Sequence, residues 1–249
     1  MKANAKDLVI WSDETLVVFN KPAGLPTLPD GYDLNAPHVK SLLSPIYGSL
    51  WIVHRLDRET SGVLILARTS EAHQALNTQF ESHQVTKIYH ALIDGNPAWD
   101  ERVVNQPLLT DGDRSHRTII DQRLGKPSTT RFCVLERYGA FTLIQAIPET
   151  GRTHQVRAHL AWLGSPIVGD RLYGGPQGLY LYQLKPGYRI NQDGAGETPG
   201  GHPILGRVGL HAWSLNITHP LSLEKLSFEA AYPKDFTAAI RQLRKYSKT

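Results

Sequence analysis

The chain of 249 residues is 41% apolar and 20% charged, as is ordinary for a globular protein. No stretch approaches the roughly 18 to 20 continuous apolar residues of a membrane span, and the first residues lack the apolar core of a signal peptide. Cys133 is the single cysteine, which excludes a disulfide framework and a thiolate metal cage and favours a reducing cytoplasm. The formal net charge of +4 favours a polyanionic partner only weakly.

The first half of the chain is predicted to combine short strands with two helices. The predicted elements are, in chain order, a hairpin of strands at residues 8–11 and 16–20, a helix at 39–47 broken at Pro45, a buried strand at 63–67, a helix from Thr69 or Ser70 to about residue 83, and a strand at 87–94. The second helix is indicated by Ala72, Leu76 and Phe80, which recur at a spacing of four and form one apolar stripe. The hydroxyl residues before it are typical helix caps.

The second half of the chain continues with hairpins and few helices. The predicted elements are a hairpin of strands at 130–136 and 141–147, a helix at 153–163, strands at 211–217 and 223–230, and a closing amphipathic helix with Phe236, Ile240 and Leu243 on one face. Residues 176–207 are rich in glycine, proline and polar residues and predict a surface insertion. Together these elements predict an α+β fold with a largely antiparallel mixed sheet, in a single domain over residues 1–249.

A cluster of charged residues lies directly before the buried strand predicted at 63–67. Residues 54–59 contain one histidine and four ionisable side chains of arginine, aspartate and glutamate. A carboxylate at the edge of a core must be paired, or its pKa shifts. Because chains tolerate such a cost chiefly where chemistry is done, Asp57 is the first candidate for a catalytic residue.

Other kinds of functional site are not supported by the sequence. His154 and His159 lie about 140° apart around a helix, so they cannot share a ligand face, and no metal site is expected. The segment at residues 125–128 has proline where a phosphate-binding loop requires serine or threonine. Ser61 lacks the G-x-S-x-G frame of an esterase nucleophile.

Five segments of the chain resemble one known family. Residues 54–62 read H-R-L-D-R-E-T-S-G and resemble the H-R-L-D-x-x-T-S-G signature of the RluA family of RNA pseudouridine synthases. Four further segments resemble family motifs in the same order, namely K-P-A-G at 21–24, K-I-Y at 87–89, G-R-T-H-Q-V-R-A-H at 151–159 with P-I-V-G-D at 166–170, and L-H-A at 210–212 with H-P at 219–220. The matching region extends from about residue 8 to residue 232 and so covers nearly the whole chain.

The resemblance implies the pseudouridine synthase catalytic fold and the isomerisation of a uridine in RNA to pseudouridine, without a metal or organic cofactor. In this reaction the N1–C1′ glycosidic bond is cut, the base rotates, and C5 is joined to C1′. The family nucleophile corresponds to Asp57. A carboxylate can attack C6 of the pyrimidine or C1′ of the sugar, and both stay open. The family arginine that pairs with the aspartate corresponds to Arg157, and the tyrosine that stacks on the base corresponds to Tyr89.

The resemblance also implies which side chains contact RNA. Arg55 matches the arginine that holds the flipped nucleotide or fills its place, since a stacked uridine must be extruded before its ring is reached. The expected phosphate contacts are Lys21, Arg58 and Arg152, with the basic residues after Lys234 as further candidates. The residues expected to hydrogen-bond beside the catalytic carboxylate are His54, Thr60 and His154.

The expected partner is a stem-loop of ribosomal or transfer RNA, bound by a cytoplasmic monomer without a membrane or a metal. Many family members carry an additional N-terminal S4-type RNA-binding domain, and none is expected here because the region that resembles the catalytic domain begins by about residue 8. One alternative is a non-catalytic RNA-binding or folding-helper module that retains the fold. The other is a carboxylate glycosidase or nucleosidase, which needs a second acid, and neither Glu59 nor Glu149 belongs to a recognisable acid–base pair.

Overall fold

The structure, a computed structural model, describes residues 5–29, 36–185 and 201–247. The strands in these ranges are β1 (Val9–Ser12), β2 (Leu16–Lys21), β3 (Trp51–Ile52), β4 (Ser61–Ala67), β5 (Thr86–Asp94), β6 (Glu101–Asn105), β7 (Leu108–Leu109), β8 (Ile119–Ile120), β9 (Thr129–Tyr138), β10 (Phe141–Pro148), β11 (Leu210–Thr218) and β12 (Lys225–Glu229). The helices are α1 (Val39–Tyr47), α2 (Ser70–Glu81), α3 (Gln155–Trp162), α4 (Leu181–Leu184) and α5 (Lys234–Tyr246), with 3-10 turns at Ala5–Leu8 and Arg171–Tyr173. No helix in the described ranges is long and apolar enough to cross a membrane.

The chain divides into two compact units. Unit 1 contains Met1–Tyr89 and His211–Ala231, and unit 2 contains His90–Leu210 and Tyr232–Thr249. Both units combine helices with strands, and most strand pairs are antiparallel, so the predicted α+β class is confirmed. The prediction of one domain over the whole chain stays a prediction.

β4 is the central strand of unit 1. It pairs antiparallel with β2 and β3 and parallel with β11, which pairs antiparallel with β12. All seven residues of β4 are buried. Val63, Ile65 and Ala67 pack on the side of α2, whereas Leu64 and Leu66 pack on the side of α1. A strand that is covered on both faces needs apolar residues at consecutive positions. This explains the apolar run at residues 63–67 from which the strand was predicted.

The sheet of unit 2 is built on the hairpin of β9 and β10, which was predicted from the sequence. β6 pairs antiparallel with β9, and the end of β5 lies beside β10. The helix α5 buries Phe236, Ile240 and Leu243 in the core of this unit, as their spacing predicted. β7 and β8 form a separate two-stranded sheet.

The helix α1 differs from its prediction, because it continues through Pro45 without a break. Proline removes one backbone donor, and here it stands near the C-terminal end of the helix, where few hydrogen bonds are left to lose. Val39 and Leu43 are fully buried in unit 1 and hold the helix in place. The predicted break at Pro45 was therefore wrong.

The ends of the predicted surface insertion at residues 176–207 belong to the core of unit 2. Leu179 and Leu205 are fully buried and face each other across an antiparallel bridge. The surface assignment was wrong for these residues, because a glycine- and proline-rich composition does not reveal which of its few apolar side chains point inward. Residues 186–200 of the predicted insertion lie outside the described residues.

Candidate active site

The charged cluster of unit 1 forms a tight turn directly before β4. The Thr60 N–H donates to the Asp57 carbonyl at 3.1 Å and closes this turn. Leu56 and Thr60 are buried on either side of it, whereas Asp57 itself is half-buried. The turn therefore places the Asp57 carboxylate at the rim of the core. A hydrogen bond from the Thr60 hydroxyl to this carboxylate stays a prediction.

Hydrogen bonds tie this turn to the loop that follows β2. The Gly24 N–H donates to the Arg58 carbonyl at 2.8 Å, and Arg58 Nε donates to the Gly24 carbonyl at 3.2 Å. Thr27 Oγ1 donates to the Leu56 carbonyl at 2.9 Å and accepts from the Leu56 N–H at 3.2 Å. Because the residues before and after Asp57 are both held, the backbone from which its carboxylate projects is fixed in position.

Lys21 occupies a different position from the phosphate contact that the sequence predicted. Its side chain is fully buried at the end of β2, and Nζ donates to the carbonyls of Pro22, Leu25 and Arg58 at 3.0, 2.8 and 3.1 Å. A buried ammonium group with three carbonyl acceptors is stabilised where it is and does not reach a phosphate at the surface. Lys21 instead holds the loop after β2 against the turn that carries Asp57.

Tyr89 lies on β5 in the same unit as Asp57. Its ring is half-buried and packs in the apolar cluster that contains Leu56. Burial raises the pKa of the Tyr89 hydroxyl above its ordinary value, and the nearby negative charge of Asp57 raises this pKa further. The structure therefore brings a carboxylate and a phenol together, and the phenol keeps its proton at neutral pH.

His54 was expected to hydrogen-bond beside the catalytic carboxylate, and the structure shows a bond to β4. Its Nε2 accepts from the Ile65 N–H at 3.1 Å, and its ring stacks on Phe80 with the two centroids 4.8 Å apart. The pKa of His54 is lowered to about 3, chiefly by burial and to a smaller extent by the positive charge of Lys87. The imidazole is therefore neutral and supports the strand behind the turn. Its hydrogen bond to the carboxylate stays a prediction.

The serine and glycine that end the signature meet the L-H-A segment in the pairing of β4 with β11. Ser61 lies opposite His211, and Gly62 lies opposite Ala212. Ser61 Oγ is 2.9 Å from Nδ1 of His211, whose Nε2 is 3.0 Å from the Ala230 carbonyl. Because a carbonyl only accepts, Nε2 carries the proton and Nδ1 accepts from the serine hydroxyl. These two motifs are distant in sequence, and their pairing determines the residue at which β4 begins.

In unit 2, Arg157 lies buried on α3 and is held by two neighbours. Its Nε donates to Asp170 Oδ2 at 2.6 Å and its Nη2 to Asp170 Oδ1 at 2.8 Å. Its Cζ lies 5.0 Å from the centre of the Tyr173 ring. Neither Asp170 nor Tyr173 was predicted as a site residue. The available signal was that Asp170 ends the P-I-V-G-D segment, since a carboxylate next to buried residues needs a counter-ion.

Arg152 and His154 lie at the N-terminal end of α3. His154 has a left-handed backbone with φ of 54°, and its Nδ1 is 3.2 Å from the Tyr173 hydroxyl oxygen. Arg152 is half-buried, and its backbone N–H donates to Gln155 Oε1 at 3.0 Å. Its Nε is buried without a hydrogen-bond partner in the part of the chain that the structure describes. A donor of this kind suits a phosphate contact, and that role stays a prediction, as does the role of His154.

Arg55 and Arg58 flank Asp57, and both side chains are exposed. Two exposed cations beside a carboxylate present a positive rim to a polyanion. Within the described ranges, no group of three or more histidine, cysteine, aspartate or glutamate residues is arranged to hold a metal ion.

Comparison with known proteins agrees with the motifs. A sequence profile described as RNA pseudouridylate synthase matches residues 15–162. The ribosomal large subunit pseudouridine synthase C of Vibrio vulnificus is 35% identical over 244 residues, which are 97% of this chain and 71% of that protein. A Bacillus subtilis protein named Uncharacterized RNA pseudouridine synthase YlyB is 35% identical over 246 residues, which are 95% of this chain and 73% of that protein.

A solved structure shares the fold. Human RNA Pseudouridylate Synthase Domain Containing 4 matches with a TM-score of 0.73 and 27% identity, over 96% of this chain and 95% of that one. This likeness confirms the pseudouridine synthase fold that the motifs implied, and the relatives do not favour a non-catalytic module. The chain therefore belongs to the RluA family of RNA pseudouridine synthases, and it is an enzyme that isomerises uridine in RNA to pseudouridine.

Proposed function

We propose that this enzyme modifies ribosomal RNA of the large subunit and that Asp57 is its nucleophile. The choice of RNA is supported by the names of its relatives, the ribosomal large subunit pseudouridine synthase C of Vibrio vulnificus and synthase D of Neisseria meningitidis, the latter 34% identical over 95% of this chain. We further propose that the enzyme is an active monomer in the cytoplasm, a compartment that suits a chain whose single cysteine, Cys133, has no disulfide partner.

The observation that carries the nucleophile assignment is the placement of Asp57 in its turn. Its neighbours on both sides are held by hydrogen bonds to the loop after β2. A carboxylate that is fixed in this way meets a carbon atom in a defined geometry, and such positioning lowers the barrier to attack. Attack at C6 or at C1′ both stay open. In either case the N1–C1′ bond breaks, C5 joins C1′, and the proton lost from C5 is balanced by one gained at N1.

Tyr89 is the residue that we assign to the target base. Its phenol ring offers a face for stacking, and its hydroxyl stays protonated because burial and the charge of Asp57 both raise its pKa. It therefore acts as a neutral hydrogen-bonding group near the base at physiological pH.

Arg157 takes the role of the active-site arginine of the family. The support for this assignment is its motif and the paired hydrogen bonds to Asp170, which hold its guanidinium in one orientation. The proposed RNA contacts are Arg55, Arg58 and Arg152. Lys21 is not among them, because its ammonium group is buried against three carbonyls.

The proposal is tested by the release of tritium from C5 of labelled uridine. Unmodified transcripts of large-subunit ribosomal RNA and of transfer RNA, both made with [5-³H]uridine, are incubated with the wild type and with Asp57→Asn. We expect release from the ribosomal transcript, and a rate at least about a thousandfold lower for Asp57→Asn, because the amide is not a nucleophile. The matched control is Asp100→Asn, which neutralises a carboxylate that is 90% exposed and should keep the wild-type rate.

Two results would contradict the proposal in different ways. If the Asp57→Asn variant releases tritium within tenfold of the wild-type rate, the nucleophile is another residue. If the transfer RNA is turned over and the ribosomal RNA is not, the assignment of the nucleophile stands and the substrate is wrong.

A further inference from the structure

Arg157 lies on α3, and its guanidinium contacts side chains of the short turn that follows this helix in the chain. Asp170, which precedes the 3-10 turn Arg171–Tyr173, accepts two hydrogen bonds from it, and both side chains are almost completely buried, with 8% and 1% exposed. Two parallel N–H···O bonds fix the plane of a guanidinium as well as its position. The buried carboxylate of Asp170 thus orients the plane of the Arg157 guanidinium.

Tyr173 supports the same guanidinium from its face. The Arg157 Cζ lies 5.0 Å from the ring centre, within the range of a cation–π contact. The hydroxyl end of the ring is held in place, because it accepts from the Thr118 N–H at 3.0 Å and donates to the Thr118 carbonyl at 3.1 Å. The hydroxyl also lies 3.2 Å from Nδ1 of His154. Its hydrogen-bonding capacity is therefore filled.

The backbone that carries both side chains is itself held rigidly. The Asp170 carbonyl accepts from the N–H groups of Tyr173 and Gly175 at 3.1 and 2.9 Å. Gly169 has a φ of 82°, and a Cβ there lies 1.9 Å from the Arg207 carbonyl oxygen, so only glycine allows the chain to enter this turn. The turn is built to hold its two side chains in one arrangement.

We propose that Asp170 and Tyr173 are positioning residues for Arg157, which orient its guanidinium for the reaction without contacting the substrate. This inference rests on the proposed role of Arg157 as an active-site residue. An arginine side chain has many rotamers, and an arrangement that stabilises a transition state loses its effect when the group shifts by about 1 Å. The two hydrogen bonds to Asp170 and the contact with the ring of Tyr173 restrict the Arg157 side chain to one rotamer before RNA binds.

The alternative is that the Arg157–Asp170 pair only stabilises the core of unit 2, and the chain provides matched controls for it. Arg207 and Asp235 form a second two-bond arginine–carboxylate pair, with an Nε–Oδ2 distance of 2.7 Å and an Nη2–Oδ1 distance of 3.0 Å. Tyr232 forms a second tyrosine–histidine pair, because its hydroxyl lies 2.5 Å from Nδ1 of His90. Variants of these residues break the same kinds of contact in the same unit without touching Arg157.

The experiment measures single-turnover rates at saturating ribosomal RNA, dissociation constants for the same RNA, and melting temperatures. The variants are Asp170→Asn, Asp170→Glu, Tyr173→Phe, Arg157→Lys and Arg157→Ala, with Asp235→Asn and Tyr232→Phe as controls. We expect the rate to fall about 100-fold for Asp170→Asn and about tenfold for Tyr173→Phe, with dissociation constants within about threefold of the wild type. Asp170→Glu should recover part of the rate, and the controls should keep it.

A double-mutant cycle separates positioning from general stability. In the Arg157→Lys background, Asp170→Asn should change the rate by less than about threefold, because lysine cannot form the fork that Asp170 orients. Full activity of Arg157→Lys and of Arg157→Ala would overturn both this inference and the proposed role of Arg157. Loss of activity in those variants, with wild-type rates for Asp170→Asn and Tyr173→Phe, would overturn the inference alone. It would also be overturned by equal losses from Asp170→Asn in both backgrounds.

Discussion

At the scale of single residues, the ring of His54 lies between Phe80 and the backbone of β4. Its Nε2 accepts a hydrogen bond from the Ile65 N–H, and a proton on that nitrogen would break the bond. Burial, followed by the positive charge of Lys87, lowers the pKa of His54 to about 3, whereas an unfolded histidine titrates near 6.5. The folded protein therefore binds fewer protons than the unfolded chain between these two pH values.

The sign of the resulting pH dependence follows directly. The contribution of His54 to stability is complete above about pH 6.5 and is lost as the pH falls towards about 3, by at most about 1.4 kcal/mol per pH unit. Urea unfolding at several pH values should show this loss, and His54→Gln should weaken the dependence. His202→Gln, which changes an exposed histidine, is the control and should follow the wild type. An unchanged slope in His54→Gln would show that other groups cause the loss.

At the scale of elements, the start of β4 depends on a close approach of two strands. Gly62 has a φ of 114°, and a Cβ built on it lies 2.1 Å from the Ala212 carbonyl oxygen of β11. Ser61 and His211 join the same strands through a buried hydrogen bond of 2.9 Å. The strand β4 therefore starts at one defined residue, and this also fixes where the preceding turn that carries Asp57 ends.

Gly62→Ala should be one of the more damaging single substitutions in the chain. We expect a loss of about 3 kcal/mol or more in the free energy of unfolding, from left-handed strain together with the clash against β11. Gly139→Ala is the matched control, because Gly139 has a φ of 73° with nothing within 4 Å of its Cβ position, and it should cost only about 1 to 2 kcal/mol. If chemical denaturation shows equal losses of unfolding free energy for the two variants, the β11 backbone moves aside for the added Cβ, and β4 and β11 are not tightly packed at Gly62.

At the scale of the whole molecule, affinity for RNA depends on which cations reach the surface. The net charge of +4 comes from 27 lysine and arginine residues against 23 acidic ones, so the placement of individual cations matters more than their sum. Arg55 and Arg58 are exposed beside Asp57, whereas Lys21 is fully buried. The salt dependence of RNA binding distinguishes these two situations.

Arg55→Ala and Arg58→Ala should each reduce the slope of log affinity against log salt concentration by about 0.7 to 0.9, because each removes one phosphate contact. Lys21→Met should lower the melting temperature, since three carbonyls lose their donor, and leave the slope unchanged. Filter binding over a range of salt concentrations measures all three slopes. A reduced slope for Lys21→Met would restore the phosphate contact that the sequence first predicted.

The elements that are determined by neighbouring residues in the chain were predictable from the sequence. The apolar run of β4 identified a strand covered on both faces, and the spacing of Phe236, Ile240 and Leu243 identified the buried face of α5. The motif around Asp57 indicated the family and its reaction, and the comparisons agree with it. These features follow from neighbours in the chain, since periodicity and contiguous motifs express local geometry.

The positions that depend on distant residues were decided only by the tertiary structure. Lys21 was predicted to contact a phosphate, yet its ammonium group is buried, and one of its three acceptors, the carbonyl of Arg58, lies 37 residues away. Asp170 and Tyr173 were missed because their partner, Arg157, lies on a separate helix. The sequence by itself therefore determined the family, the reaction and the main elements, while folding determined which charges are buried. The reason is physical: the cost of burying a charge is offset by partners that the fold brings from elsewhere in the chain.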